Sequence, residues 1–351
     1  MKKYRTIRLP KGTISLLLDR KASTIIGLLF IGLLLVMTIS TGMGEMKLSP
    51  LQVINALFGN GTKIETLVVT SFRLPRILIA LFVGVSLAVA GAILQGLIRN
   101  PLASPDIIGL TGGASVAVVA FLAIYSDKSN SLTISIQWLP VGAFVGATVV
   151  ALLVYLLSWK NGVSPMRLVL VGIGISALAQ AITTLFMIMG PIYQASQANI
   201  WLTGSVYGST WENVRILAPW TFLLLIITFV LSRILNIQEL GEELATSVGS
   251  RVQRERLFLL LVATGLTGGA VAFGGAIGFV GLMAPHIARK LVGSAFGALL
   301  PVSALIGGML VVVADLIGRI IFAPIEVPAG VFTAAIGAPY FVYLLYKSRN
   351  S

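Results

Sequence analysis

Few side chains in this sequence could do chemistry, and the most informative pair is an acid and a base four residues apart. Asp315 lies inside a long apolar stretch, and Arg319 follows it after about one helical turn. Side chains at this spacing share a helix face, so we expect an ion pair that lowers the cost of placing either charge among apolar residues. Cysteine is absent and His286 is the only histidine, which excludes disulfides, thiol catalysis and a cysteine–histidine metal cluster.

Motifs for nucleotide binding and for membrane-bound catalysis are also missing. No G-x-x-x-x-G-K-S/T loop occurs, and the glycine pairs that begin at Gly112 and Gly268 lack the lysine that would reach a nucleotide's phosphates. Two alternatives from other classes are a membrane-embedded enzyme, which would need clustered His, Asp or Glu, and an ion-coupled carrier, which would bury acids near mid-membrane. We therefore expect no cofactor and no catalysis in this chain, and an energy-converting domain on a separate chain.

The composition is that of a protein embedded in lipid. Hydrophobic residues make up 57% of the chain and charged residues 11%, with a mean hydropathy of +0.98, whereas a soluble protein needs about 25% charged residues. A transmembrane helix needs roughly 20 apolar residues. The sequence therefore predicts an all-α membrane protein, a polytopic bundle of about ten transmembrane helices without a sizeable soluble domain.

Ten apolar stretches give the predicted spans. The first follows Lys and Arg and is too long for a cleaved signal peptide, so we expect it to be retained. The seventh and eighth are short and are separated by glycines. The spans are 22–40, 77–98, 107–124, 139–159, 166–189, 216–235, 257–271, 277–291, 299–321 and 327–346.

The basic residues predict the orientation. A cytoplasmic N-terminus leaves outside only Lys47, Lys63, Arg73, Arg76, Lys128, Arg215 and Arg319. Because cytoplasmic loops are enriched in Lys and Arg, both termini should be cytoplasmic, with an N-terminal segment 1–21, a transmembrane domain 22–346 and a tail 347–351. This topology also explains the net charge of +13. Nucleic-acid binding is not expected, since the basic residues are scattered over several loops.

Small residues recur at helical spacing in the spans. Gly84, Ala88, Ala92 and Gly96 follow one another at four-residue intervals, and Gly109 and Gly113 repeat the pattern. Such stripes allow close helix approach. They predict tight packing or, as the alternative, surfaces along which helices slide during transport.

The predicted outer side carries a short helix and three arginines. Ser49-Pro50-Leu51-Gln52 has the residues of a capping box and predicts a helix through Leu57. Arg73 and Arg76 precede the second span, and Arg319 should lie at the same depth. They either extend to lipid headgroups or, as we favour, meet acidic groups on a partner.

Two segments stand out on the predicted inner side. Residues 100–106 form a proline-containing turn in which Ser104 or Asp106 could cap the following helix. Residues 236–256 predict two short amphipathic helices with a hinge at Gly241 or Gly249. This second segment is either an interfacial loop or a docking site for a cytoplasmic partner.

Over nearly its whole length the chain resembles the FecCD-type permease subunits of the ATP-binding cassette importers for iron-siderophores and cobalamin. The matching motifs are Arg73-Leu74-Pro75-Arg76, Ala90-Gly91 … Gln95, Asn100-Pro101-Leu102-Ala103, Leu240-Gly241-Glu242 … Ala245 … Gly249, Gly275-Ala276-Ile277-Gly278-Phe279-Val280-Gly281-Leu282 … Pro285-His286-Ile287-Ala288-Arg289, Ala314-Asp315 … Arg319 and Glu326-Val327-Pro328-Ala329-Gly330 … Gly337-Ala338-Pro339. One departure is the inner turn before Leu299-Leu300-Pro301, which lacks the Asp or His often found there.

The resemblance implies roles for these residues. Two permeases, identical or paralogous, would enclose the pathway in the bacterial cytoplasmic membrane and work by alternating access. An external binding protein would dock through acidic residues onto Arg73, Arg76 and Arg319. Cytoplasmic ATPases would grip the coupling loop 236–256, and His286 would belong to a structural helix end. The coupling residues would be Leu240, Gly241, Glu242, Ala245 and Gly249. A ferric siderophore is the expected substrate, while cobalamin and haem remain alternatives.

Overall fold

The computed structural model describes residues 4–8, 15–125, 133–160, 162–190 and 192–348. Residues 1–3 and 9–14 of the predicted N-terminal segment, and residues 349–351 of the predicted tail, lie outside the described ranges. A hairpin that the sequence analysis did not predict, β1 (Tyr4–Arg8) paired antiparallel with β2 (Ser15–Asp19), precedes the first helix. The described chain is otherwise helical, which confirms the predicted fold class.

Fifteen α-helices lie in the described part of the chain. A π-helical segment, Val68–Arg73, leads into the fourth. The helices are α1 (Arg20–Gly42), α2 (Pro50–Leu57), α3 (Lys63–Leu67), α4 (Leu74–Ile98), α5 (Leu110–Ile124), α6 (Leu139–Leu157), α7 (Pro165–Met189), α8 (Ile192–Thr203), α9 (Trp211–Val230), α10 (Ser232–Glu239), α11 (Glu242–Ser247), α12 (Val252–Gly274), α13 (Val280–Val292), α14 (Phe296–Ile320) and α15 (Ala329–Ser348).

Each predicted span contains one long or medium helix. Eight helical segments of the described chain are long and apolar enough to cross a membrane. The other two helices, α5 and α13, have 15 and 13 residues, so the count of ten spans and the orientation remain predictions. Several predicted limits differ from the helix limits by three or more residues: the span at 107 starts at Leu110, that at 277 starts at Val280, and the span 216–235 corresponds to Trp211–Val230.

Helix α4 lies at the centre of the bundle, against α9, α12, α13 and α14. Its small residues permit this position. A Cβ atom added to Gly84 would overlap the carbonyl of Gly307 in α14, and one added to Gly91 would overlap that of Gly281 in α13. The outer helices instead expose large apolar side chains such as Leu28, as expected where a helix meets lipid acyl chains.

The short helices α2, α10 and α11 lie where the sequence predicted them. Ser49 Oγ accepts a hydrogen bond from Gln52 N at 3.3 Å, and Ser49 N donates to Gln52 Oε1 at 2.8 Å, so the predicted capping box begins α2. Two short helices, α10 and α11, also flank Gly241, whose φ of 111° favours glycine.

Candidate functional site

At the predicted outer end of the bundle, Arg76 joins two carboxylates. Its Nη2 lies 2.8 Å from Asp315 Oδ1, and its Nη1 lies 2.8 Å from Glu326 Oε2. Arg319 Nε lies 3.3 Å from Asp315 Oδ2, which confirms the predicted pair four residues apart. Asp315 therefore accepts hydrogen bonds from Arg76 of α4 and forms an ion pair with Arg319 of its own helix, α14.

Arg73 and Arg319 also bind the last turn of α1 and the segment that follows it. Arg73 Nη1 donates to Thr41 O at 2.7 Å, and Arg73 Nη2 donates to Met46 O. Arg319 Nη2 donates to Ser40 O at 3.1 Å and to Ser40 Oγ at 2.6 Å. The last carbonyls of a helix lack intrahelical donors, and the fork of an arginine can satisfy several of them.

The structure thus gives all three arginines partners within this chain. Arg73 and Arg319 are each only 7% exposed, and the expectation that they meet acidic groups on a partner stays a prediction. The sequence analysis missed Glu326, which lies in a quoted motif without an assigned role. The sequence feature that could have identified Glu326 is that it is an acidic residue on the predicted outer side with no basic residue near it in the sequence.

An outer cavity of about 460 Å³ borders this cluster. Arg73, Arg76, Arg319 and Glu326 line it together with Tyr207. The Arg76 guanidinium carbon lies 5.5 Å from the centroid of the Tyr207 ring, within the range of a cation–π contact. The cavity therefore offers charged groups of both signs to an approaching polar surface.

At the opposite end, the coupling segment is attached to the bundle. Glu239 Oε1 lies 2.6 Å from Arg289 Nη1, and Asn236 Oδ1 accepts from Phe296 N at 2.9 Å, which fixes α10 against α13 and α14. Glu242 Oε2 lies 3.5 Å from Arg256 Nη2, which connects α11 to α12.

The coupling segment has one buried and one exposed face. Ala245 is fully buried within this chain, and its expected contact with a groove on the ATPase stays a prediction. Leu240, Leu244 and Val248, four residues apart, are exposed instead. Gly241 and Gly249 have positive φ and delimit this short helical unit.

The turn at 100–103, on the predicted inner side, closes α4. Asn100 N donates to Gln95 O at 3.2 Å, and Leu102 N donates to Asn100 Oδ1 at 2.9 Å. Pro101 follows directly, and Ala103 is buried. Neither Ser104 nor Asp106 caps α5, because the N-cap residue is Gly109, whose φ of 88° favours glycine.

A larger polar cavity of about 810 Å³ lies between α5, α7, α8 and α13. Its polar lining comes from Asp106, Thr111, Ser176, Gln180 and Asn199, and apolar side chains such as those of Met187, Leu282 and Phe341 supply the rest. Burial among these helices raises the pKa of Asp106, while hydrogen bonds from the Thr111 side chain and the Phe279 backbone act in the opposite direction. Such a lining can hydrogen-bond the oxygen atoms of a polar solute.

The small residues lie mostly at helix contacts. Ala88 meets Gly307, and a Cβ atom on Gly96 would lie 2.5 Å from the Phe296 ring. On α5, a Cβ atom on Gly113 would meet Gly146 O at 2.5 Å, and one on Gly109 would meet Ser176 Oγ at 3.0 Å. Gly112, next to Gly113 in the sequence, is one of the residues that line the polar cavity. Ala92 is buried in the core.

His286 lies in the middle of α13, not at the helix end that the resemblance implied. Its ring makes an edge-to-face contact with Tyr340, with 5.9 Å between ring centroids. Within the described ranges, no group of three or more His, Cys, Asp or Glu residues could hold a metal ion.

Comparison with known proteins agrees with this architecture. The model of the FecCD transport family matches residues 32–347. The probable siderophore transport system permease protein YfhA of Bacillus subtilis (strain 168) is 62% identical over 332 residues, covering 94% of this chain and 97% of that protein. The iron(3+)-hydroxamate import system permease protein FhuG of the same organism is 42% identical over 330 residues, covering 94% and 98%.

A solved structure extends the likeness to three dimensions. It is described as an inward-facing conformation of a metal-chelate type ABC transporter. It matches with a TM-score of 0.83 at 32% identity, over 93% of this chain and 99% of that chain.

Proposed function

Because the chain belongs to the FecCD transport family, whose members are permease subunits of ATP-binding cassette importers, we propose that its cargo is a ferric siderophore carried into the bacterial cytoplasm. The observation that carries this proposal is the 62% identity over 94% of the chain to a siderophore permease. The chain is an integral membrane transport component, and ATP hydrolysis belongs to a partner.

The polar cavity supports an oxygen-rich chelate as cargo. Its hydroxyl and amide side chains can exchange hydrogen bonds with the oxygen atoms of a hydroxamate or a carboxylate without holding the iron itself. Relatives named for siderophore, hydroxamate and citrate transport favour such a chelate over cobalamin or haem.

A substrate-binding protein would dock at the outer cavity. Arg76 is the favoured contact, because its ion pair with Glu326 is the more accessible of its two: the Glu326 side chain is 37% exposed, against 4% for Asp315. A carboxylate on the binding protein would compete with Glu326. Arg73 and Arg319 would act mainly by holding α1 and α14 in position.

A cytoplasmic ATPase would bind the exposed row Leu240, Leu244 and Val248. Leu244 lies in α11 and Val248 directly follows that helix, while Leu240 precedes the break at Gly241. A short helix with exposed apolar side chains at both ends suits insertion into a groove. Ala245, on the buried side, would hold α11 against the bundle. ATP-driven closure of two ATPases would then move the two coupling segments of a permease dimer.

Transport by alternating access requires that each partner favour one state. A loaded binding protein or a nucleotide shifts the equilibrium only by its difference in affinity for the inward-facing and outward-facing states. The permease partner that completes the pathway would be a second copy or a paralogue.

The test is uptake by the reconstituted complex. The chain, its permease partner and the ATPase are placed in proteoliposomes, and a loaded binding protein is added outside with radiolabelled ferric siderophore. Iron should enter only when ATP is present inside and irrespective of a proton or sodium gradient. Uptake that persists without the ATPase and collapses with the ion gradient would establish the ion-coupled alternative. Uptake of cobalamin or haem in place of the ferric chelate would overturn the proposed cargo.

A further inference from the structure

Gln253, in the first turn of α12, connects two segments far apart in the sequence. Its Oε1 accepts a hydrogen bond from Val163 N at 2.9 Å, and its Nε2 donates to Glu242 Oε1 at 3.2 Å. Val163 belongs to the turn between α6 and α7, and Glu242 is the first residue of α11. The Gln253 amide therefore bonds this turn through its oxygen and α11 through its nitrogen.

Arg256, three residues further along α12, makes the same connection in parallel. Its Nη1 donates to Val163 O, and its Nη2 lies 3.5 Å from Glu242 Oε2. The Arg256 side chain is buried, so its bond to Val163 O is shielded from water, whereas the Glu242 side chain is 48% exposed. Gln253 and Arg256 together bond the N–H and the C=O of Val163 and both carboxylate oxygens of Glu242. These two planar side chains therefore fix α11 relative to the turn between α6 and α7.

Hydrogen bonds also fix the turn between α6 and α7 to the start of α7. Arg167 Nη2 donates to Lys160 O at 3.1 Å and to Gly162 O at 3.0 Å, while Ser164 Oγ accepts from Arg167 N at 3.3 Å. Gly162 has a φ of 109°, and a Cβ atom there would lie 2.7 Å from Gln253 Nε2. Any displacement of Val163 is therefore passed to the first turn of α7.

Helix α7 ends this series of contacts at the polar cavity. Its residues Ser176 and Gln180 line that cavity, and Ser176 Oγ donates to Asp106 O at 3.3 Å. The series thus runs from the coupling helix, through two side chains of α12, to a helix whose position shapes the cavity.

We propose that Gln253 and Arg256 are positioning residues that transmit displacement of α11 to α7, so that ATPase closure changes access to the polar cavity through the turn between α6 and α7. This inference rests on the proposed function, in which α11 binds the ATPase. Binding of the ATPase requires only the exposed face of α11, whereas transmission requires its bonds to Gln253 and Arg256. The two roles can therefore be separated.

Labelling at the cavity provides the measurement. The sequence contains no cysteine, so Ser176→Cys gives this chain one thiol, whose alkylation by a water-soluble maleimide is followed by mass spectrometry of the intact chain. The complex with ATPase and binding protein is labelled with and without a non-hydrolysable ATP analogue. We expect the analogue to change the rate by about tenfold in this background, as for a shift of a two-state equilibrium.

Two substitutions test the transmission. Gln253→Ala removes both bonds of the amide, and Gln253→Glu keeps an acceptor for Val163 N but replaces the donor to Glu242 with a like charge. In either variant the response to the analogue should fall to about twofold or less, while ATPase co-purification and basal ATP hydrolysis persist. Gln238→Ala is the matched control, because Gln238 is an amide on the same inner face whose Nε2 donates to Glu255 Oε2 at 3.4 Å. It should retain the full response.

Each outcome decides between the explanations. A full response in Gln253→Ala, or no response to the analogue in the Ser176→Cys background, would overturn the transmission. Loss of the ATPase from both Gln253 variants would also overturn it, since Gln253 would then support docking. Failure of the unsubstituted chain to retain the ATPase would instead count against the proposed function itself.

Discussion

Arg76 Nη2 lies 2.8 Å from Asp315 Oδ1, although 239 residues separate Arg76 from Asp315 in the chain. The contact joins the start of α4 to the end of α14. Asp315 also pairs with Arg319, so one carboxylate balances the buried Arg319 and the largely buried Arg76, whose side chain is 11% exposed. Its charge therefore stabilises the outer end of the bundle, in addition to the local pair that the sequence predicted.

Asp315→Asn should destabilise the protein. The change keeps the shape of the side chain but removes the charge opposite two buried arginines, and breaking a buried ion pair from one side costs about 3–5 kcal/mol. We expect a lower Tm in detergent and less folded protein in the membrane. Glu326→Gln is the control, because this more exposed pair should contribute about 1 kcal/mol or less. Transport by the folded fraction should remain ATP-driven. A normal Tm with transport that depends on an ion gradient would contradict this role.

Arg76→Gln should weaken docking of the binding protein. Loss of a charged partner at a desolvated contact costs about 2 kcal/mol or more, which is roughly thirty-fold in Kd. Glu326→Gln should have the opposite effect, because it removes the carboxylate that competes for Arg76. Affinity is measured with the permease complex in nanodiscs and a loaded binding protein. The assignment of Arg76 would be wrong if both variants bound with unchanged Kd.

The sequence predicted those parts of the fold and site that depend on neighbouring residues. Apolar stretches located the helices, the Ser49 capping box located α2, and four-residue spacing located the pair of Asp315 and Arg319. Contacts between distant segments were missed, including Arg76 with Glu326 and Gln253 with Val163, which lie 250 and 90 residues apart. No local pattern specifies which helix ends meet, because that choice depends on packing of the whole bundle.

Gly91→Ala should destabilise the contact between α4 and α13. The added Cβ atom would overlap the carbonyl of Gly281, and backbone there can shift only by separating the helices. Overpacking of this kind costs about 1–3 kcal/mol. Gly174→Ala in α7 is the matched control, since a Cβ atom at Gly174 meets nothing within 4 Å among the described residues. Equal Tm values for the two variants would contradict this packing.

Asp106 should make stability depend on pH. Burial raises the pKa of its carboxyl group in the folded protein, so the folded state binds more protons than the unfolded state above the usual Asp pKa of about 3.9. This group therefore lowers stability as pH rises from that value through its raised pKa. Asp106→Asn should remove this loss, and its Tm should decline less across the same pH range than that of the parent. An identical pH dependence of Tm in both proteins would count against the raised pKa.

Leu244 and Ala245 are adjacent but should respond in opposite ways to a charge. Leu244 is 58% exposed on the apolar row of the coupling segment, whereas Ala245 is fully buried against this chain. Leu244→Arg should release the ATPase while the permease keeps its Tm, because the new charge lies where an apolar groove would receive the side chain. Ala245→Arg should lower the Tm of the isolated permease, because no space exists for the longer side chain. Co-purification and thermal unfolding measure the two effects separately. If Leu244→Arg retained the ATPase and full stimulation by loaded binding protein, the ATPase would have to grip another inner turn, and the turn at Asn100 would be the next candidate.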